Sequence, residues 1–233
     1  MGTSEDNYWA AINKEDLLFE KEPNGLPAKL NTRTLRRLLD SCLSNANQLI
    51  KSSEVLFNRK MYSISNYLSI LAIEELGKRQ ILGRYIWSAD DDKKRREFWK
   101  SFRSHKEKIY WALRPVTIFD MATGGRGKKQ DYISLWKQTH EELINDAQVI
   151  NDWKQLSIYV NVIEGQIYNP NKLTKRKTVK KMLQKAQFLF EYHRDMETTE
   201  KILKDYKHLR EKRKKDESVA DFLGREYFSD KEI

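Results

Sequence analysis

Two short stretches gather charged and titratable side chains at spacings that an α-helix would bring to one side: Glu74-Glu75-Leu76-Gly77-Lys78 and Arg103-Ser104-His105-Lys106-Glu107-Lys108. Histidine exchanges protons near neutral pH, and lysine or arginine can hold a phosphate and offset the negative charge that grows on it. The set suits metal-free cleavage of RNA, in which the ribose 2'-hydroxyl attacks its own phosphate. In that scheme His105 is the general acid/base, Lys108 and Arg103 bind phosphate with Lys106 beside them, and Glu75 with Lys78 orients the array, supported by Glu74. The same residues also fit an inert network: an ion pair of Glu75 with Lys78 or Lys108, and a histidine capped by a carboxylate. Residue types alone leave both readings open.

Each stretch must ride on a helix. From Ile64, the positions Leu68, Leu71, Glu75, Lys78 and Leu82 follow at steps of three or four, which predicts a buried face that carries both a carboxylate and an ammonium. Phe98, Phe102, His105, Ile109 and Leu113 make a similar stripe, with Lys108 one turn beyond the histidine. Burying charge costs several kcal/mol unless it is paired, so these interruptions mark either an internal ion pair or a site of chemistry. Glu74 and Glu75 are adjacent, point about 100° apart, and cannot both face one ion from the core side.

The remaining pattern is a helical bundle. Residues 1–30, with Pro23-Asn24-Gly25 and Pro27, read as an N-terminal arm. A first helix is expected from Asn31 or Thr32 to about Phe57, with only Ser53 out of character on its apolar stripe, then a tight connection at Asn58-Arg59-Lys60. A second runs from about Met61 to Trp87, and a third opens at Asp90-Asp91-Asp92 and ends at Pro115. Thr117 to Gln130, with Gly124, Gly125 and Gly127, reads as a flexible loop before a fourth helix from about Asp131 to Trp153. Ser157–Val162 and Gln166–Tyr168 flank Glu164-Gly165 as a small β-hairpin, placed at about 156–169 and closed by Pro170. A fifth long helix is expected over about Thr178 to Lys212, with Val179, Met182, Leu183, Ala186, Phe190 and His193 along one side, and residues 213–233 form a charged tail. The fold class is therefore all-α: about five long helices in one domain over 31–212, with a hairpin inserted before the last.

The chain has 233 residues and can bury roughly 70% of its unfolded surface, so its core needs no disulfide or metal. Its one cysteine, Cys42, lies on a stripe with Leu35, Leu38, Leu39, Ala46 and Leu49 and reads as a small core residue. With no apolar window of about 20 residues and no basic, apolar start, the chain is expected to be cytoplasmic and off the membrane. The net charge of +10 makes a polyanion a plausible partner. Lys172, Lys175, Arg176, Lys177, Lys180 and Lys181 form one basic cluster and Lys207 to Lys215 another, either of which could be a solvated helix face.

No cofactor or metal is expected. The loop Ala122-Thr123-Gly124-Gly125-Arg126-Gly127-Lys128-Lys129 has lysine where a phosphate-binding loop needs a hydroxyl, and it follows a helix rather than a strand. His105, His140, His193 and His208 fall at no zinc-ligand spacing. Tryptophans and tyrosines could stack bases, but most sit on core stripes.

Ala72-Ile73-Glu74-Glu75-Leu76-Gly77-Lys78, then His105-Lys106-Glu107-Lys108, then Ile158-Tyr159-Val160-Asn161, together resemble the AbiV family of bacterial abortive-infection proteins, within the HEPN superfamily. The resemblance covers roughly residues 32–190, and its most specific piece is the Glu-Glu-x-Gly-Lys run. It implies a helical bundle that forms a homodimer around a shared polar cleft, an antiphage role in arresting the infected cell, RNA as substrate, and a phage-encoded activator protein as a further partner. Carried over position by position, its motif residues are Glu74, Glu75, Lys78, His105 and Lys108; Arg103 joins them on chemical grounds alone. Many HEPN relatives are metal-independent ribonucleases whose signature is an arginine, four to six residues, then histidine. Here Lys100 stands where the nearest match would put that arginine, and Arg103 is two positions before His105. A non-catalytic dimeric module that captures a phage or ribosomal protein is the alternative.

Overall fold

The computed structural model describes residues 30–87, 92–124, 129–163 and 165–196. They form seven helices and one two-stranded sheet: α1 (Thr32–Asn58), α2 (Tyr62–Trp87), α3 (Asp92–Arg103), α4 (His105–Gly124), α5 (Lys129–Leu156), β1 (Asn161–Ile163), β2 (Gln166–Tyr168), α6 (Pro170–Leu173) and α7 (Arg176–Met196). Five helices are long, and the hairpin precedes the last, as the sequence pattern predicts. The expected N-terminal arm, the extension of the last helix to Lys212, the charged tail and the second basic cluster lie outside the described residues.

α1 starts where Asn31 Oδ1 accepts from the amide of Thr34, and beyond its end at Asn58 the φ of 62° at Lys60 reverses the chain into α2. Its core stripe is Leu35, Leu39, Cys42, Ala46 and Ile50, with the odd residue Ser53 also buried. Ser53 is satisfied across the interface: its hydroxyl lies 2.9 Å from that of Ser65 and 2.8 Å from that of Ser69. A small polar residue on that stripe thus marks the α1–α2 crossing.

α2 is the central rod and touches every other described helix. That position corrects the expected buried face. Ile64 is 40% exposed and Leu68, Leu71, Glu75 and Lys78 are half-buried, whereas Ile70, Ile73, Glu74, Leu76 and Gly77 are buried. A helix enclosed on most sides has no strong hydrophobic period, so following its leucines chose the wrong phase.

The expected third helix is two. Ser104 interrupts it, its hydroxyl accepting from the amide of Glu107 at 3.3 Å, so Ser104-His105-Lys106-Glu107 starts α4 with a serine cap and an acid three residues on. Nor does Pro115 end a helix: it lies within α4, where its missing amide leaves one gap in the hydrogen-bond ladder and the Tyr192 phenol donates to its carbonyl at 3.2 Å. The loop expected over Thr117–Gln130 is correspondingly short, since α4 continues to Gly124 and α5 begins at Lys129. The residues between, 125–128, lie outside the described set.

The hairpin is antiparallel, with Val162 opposite Ile167 and Gly165 at φ 76° in the turn. Its first strand begins at Asn161, later than expected, because the Ser157 amide still bonds to the Trp153 carbonyl and prolongs the end of α5. Pro170 opens α6, capped by Asn169.

The buried apolar residues fall into two clusters. One joins α1, α2, α4, α5 and α7 through residues such as Ile50, Ile73, Leu76, Ile109, Ile150 and Leu189. The other packs α3 against α1, α2 and α4 through Leu39, Leu82, Tyr85, Phe98, Trp99 and Trp111. Cys42 belongs to the second, and burial pushes its thiol up to about 12, which removes it as a nucleophile.

Candidate functional site

Glu74 and Gly77 stand one turn apart on α2, on the side that faces α4. A Cβ at Gly77 would be driven into the carbonyl of Lys108, so the glycine lets the two backbones touch. That approach brings the start of α4 over Glu74. The His105 Nδ1 lies 2.7 Å from Glu74 Oε2, and the Lys108 ammonium lies 3.2 Å from the same oxygen.

A third cation completes the cluster. Lys154, near the end of α5, donates to Glu74 Oε1 at 2.7 Å. It continues the stripe Leu143, Ala147 and Ile150 at steps of four, three and four. Sequence reasoning missed it, although a lysine in phase with a buried stripe was the available signal. One carboxylate from α2 therefore ties down α4 through two residues and α5 through one.

Glu74 is 3% exposed and Lys108 and Lys154 are comparably buried, but the His105 side chain is 53% exposed. Burial alone would raise the Glu74 pKa; hydrogen bonds from Lys154 and His105, with the charges of Lys108 and Lys154, outweigh it and hold the carboxyl below its ordinary value. Burial lowers the Lys108 pKa despite the Glu74 charge. An ionised carboxylate only accepts, so the Nδ1 of His105 carries the proton and Nε2 is the nitrogen left with a lone pair in the neutral ring. With both lysines charged, Glu74 faces two positive charges, leaving a surplus of one.

The residue that reaches His105 is thus Glu74, where the sequence pattern had assigned the orienting role to Glu75 with Lys78. Those two form their own pair at 2.7 Å on a half-buried flank, and the Lys78 ammonium lies 5.7 Å from the Phe102 ring. Arg103 and Lys106 are exposed on either side of the α3–α4 break, and the Arg103 Nε donates to the Trp99 carbonyl at 3.1 Å, closing the end of α3. The structure therefore brings Glu74, His105 and Lys108 together, adds Lys154, and leaves Glu75, Lys78, Arg103 and Lys106 around the cluster rather than in it.

His208 lies outside the described residues, and His193 and His140 sit away from the cluster. His193 is sealed between α7, α2 and α4, its Nε2 3.2 Å from the Ala112 carbonyl and its Nδ1 3.1 Å from the Gln80 amide, and burial pushes its pKa down to about 4. His140 pairs with the Tyr110 hydroxyl at 2.8 Å. Among the described residues no three or more His, Cys, Asp and Glu converge as metal ligands, and no helix is long and apolar enough to cross a membrane.

Compared with known proteins, the chain matches the family model HEPN_AbiV, described as AbiV, over residues 34–191. That span contains all four members of the Glu74 cluster. No curated protein and no solved structure matches the chain.

Proposed function

The chain belongs to the AbiV family, and from that membership we propose that it is an antiphage abortive-infection effector that arrests the infected cell by cleaving RNA at His105. The observation that carries this reading is the 2.7 Å bond between His105 Nδ1 and the buried Glu74, made by a ring half open to solvent. A buried carboxylate that fixes the tautomer and aim of an accessible imidazole is the usual preparation for proton transfer.

In the proposed reaction Nε2 of His105 takes the proton of a ribose 2'-hydroxyl, and the 2'-oxygen attacks the adjacent phosphorus. A 2',3'-cyclic phosphate forms and the P–O5' bond breaks. The departing 5'-oxygen takes its proton from the His105 of a second copy of the chain, in a homodimer whose cleft holds the phosphate. Glu74 is a positioning residue that stabilises the imidazolium as it forms. The surplus positive charge of Lys108 and Lys154 favours the phosphorane at short range, and Arg103 and Lys106 hold the flanking phosphates.

One observation favours a second reading. Lys108 and Lys154 are withdrawn from solvent and committed to Glu74, which is also how an inert clamp between helices would look. In that case the protein is a non-catalytic dimeric module that captures a phage or ribosomal protein.

Purified protein incubated with cellular RNA, with and without extract of phage-infected cells, separates the two. The first reading predicts fragments ending in cyclic phosphate, and a His105→Ala variant slower by roughly 10²–10⁴. Equal cleavage by both proteins, or none by either in infected extract, removes it.

A further inference from the structure

Between Gly165 and Phe190 the chain carries seven lysines and arginines and no aspartate or glutamate. A solvated helix face ordinarily mixes the two signs, with acids one turn from bases. Here Lys172, Lys175, Arg176, Lys177, Lys180 and Lys181 are all exposed, and among the described residues none of the six makes an ion pair. They crowd the corner formed by α6 and the start of α7.

That corner is next to the α1–α2 turn. The Ser63 hydroxyl donates to Asn171 Oδ1 at 2.6 Å, and the Arg176 guanidinium lies 5.9 Å from the Phe57 ring. A cleft of about 260 Å³ opens there, lined by Lys60, Met61, Tyr62, Ser63, Ile64 and Asn171. The exposed Arg59 and Lys60 extend the positive surface around it.

The corner is also in line with the Glu74 cluster. Ser63, Tyr67 and Glu74 fall on one stripe of α2, so the basic corner and the His105 site are about 16 Å apart along the helix axis. Between them Tyr67 is half-buried, and burial, with smaller contributions from the nearby Tyr159 and the Glu74 carboxylate, raises its phenol pKa. Tyr159, leading into the hairpin, is 56% exposed.

We propose that the α6–α7 corner is a phosphate-binding track for single-stranded RNA, with Tyr159 as a stacking surface between it and His105. The inference rests on the reading of RNA as substrate and adds where the strand runs. Unpaired cations supply backbone affinity, and an exposed aromatic ring between two cationic sites suits the unstacked bases of a single strand better than a closed duplex.

The test is binding of a labelled, mixed-sequence single-stranded RNA to the full chain over a range of salt. The comparison is a variant in which Lys172, Lys175, Arg176, Lys177, Lys180 and Lys181 are all replaced by Gln. All six are exposed, and an unchanged melting curve would establish that the fold survives. The expected result is a loss of at least about tenfold in affinity, with the salt slope falling by about 0.7 for each phosphate contact removed. Tyr159→Ala should weaken binding by about tenfold with the slope unchanged.

Unaltered affinity in the six-residue variant, tighter binding of duplex RNA, or binding to phosphatidylserine vesicles in place of RNA would each overturn the proposal. If the parent protein binds the strand with the expected salt slope, and the six-residue variant loses that binding, while the parent cleaves no RNA in infected extract, the catalytic reading falls and the track stands.

Discussion

Gly77 of α2 and Lys108 of α4 meet backbone to backbone, with no room for a single methyl between them. The contact explains why a glycine belongs three residues after Glu74: it sets the helix separation at which Lys108 and His105 reach that carboxylate. Glu75 and Lys78, the other charged members of the run, are paired with each other one face away. The Glu-Glu-x-Gly-Lys run thus combines a contact motif and a clamp residue with a separate ion pair.

Replacing Gly77 by Ala should therefore be costly. The obstacle is backbone, which cannot swing aside, so the destabilisation should reach or exceed the roughly 1–3 kcal/mol usual for an overpacked core. Urea unfolding measures it. Gly165→Ala, with nothing within 4 Å but a φ of 76°, should cost only about 1 kcal/mol. Similar values for the two would mean that the close approach carries no weight.

The two neighbouring glutamates should behave differently. Glu74→Gln leaves two buried lysines without a counter-charge and should lose about 3–5 kcal/mol, whereas Glu75→Gln should lose at most about 1 kcal/mol. Combining Glu74→Leu with Lys154→Met should recover part of the first loss. Chemical denaturation of the set checks the order, and equal losses for the two Gln variants would contradict it. Because Glu74 titrates lower in the folded protein than in the unfolded chain, its stabilisation is complete above its ordinary pKa of 4.5 and drains away as pH falls through the folded value.

His193 supplies a separate acid response. Its pKa is about 4 when folded against 6.5 as a free side chain, so between those values the unfolded chain binds the extra proton. Stability should fall by on the order of 3 kcal/mol on going from pH 6.5 to pH 4. His193→Gln can keep the Ala112 and Gln80 hydrogen bonds and should flatten that part of the profile. Unfolding free energies measured across the window provide the check; a profile as steep in the variant as in the parent would assign the acid sensitivity elsewhere.

How much of this could be read beforehand depended on burial. α1 and α7 cover the core with one face each, and their stripes are visible in the sequence, including Ser53 and His193 as polar members. α2 is enclosed, so its pattern carried no phase, and the leucines pointed to Glu75 when the buried carboxylate was Glu74. Gly77 was the better marker, because a glycine inside a helix usually means that another backbone is close. Lys154 was legible in principle as the next step after Ile150. The break at Ser104 carries its own mark in Ser-x-x-Glu, but the aromatic stripe runs straight through it and hides the change of helix. Pro115 points the other way, because a proline usually stops a helix and nothing local in the sequence shows that α4 runs on to Gly124.

The central claim, that Glu74 fixes the tautomer of His105 and leaves Nε2 for chemistry, is tested most directly by long-range proton–nitrogen NMR of the His105 ring at a pH where it is neutral. The account predicts a proton on Nδ1 in the parent and in Glu75→Gln, and its redistribution toward Nε2 in Glu74→Gln. A proton on Nε2 in the parent protein, or a ring indifferent to Glu74→Gln, would contradict it.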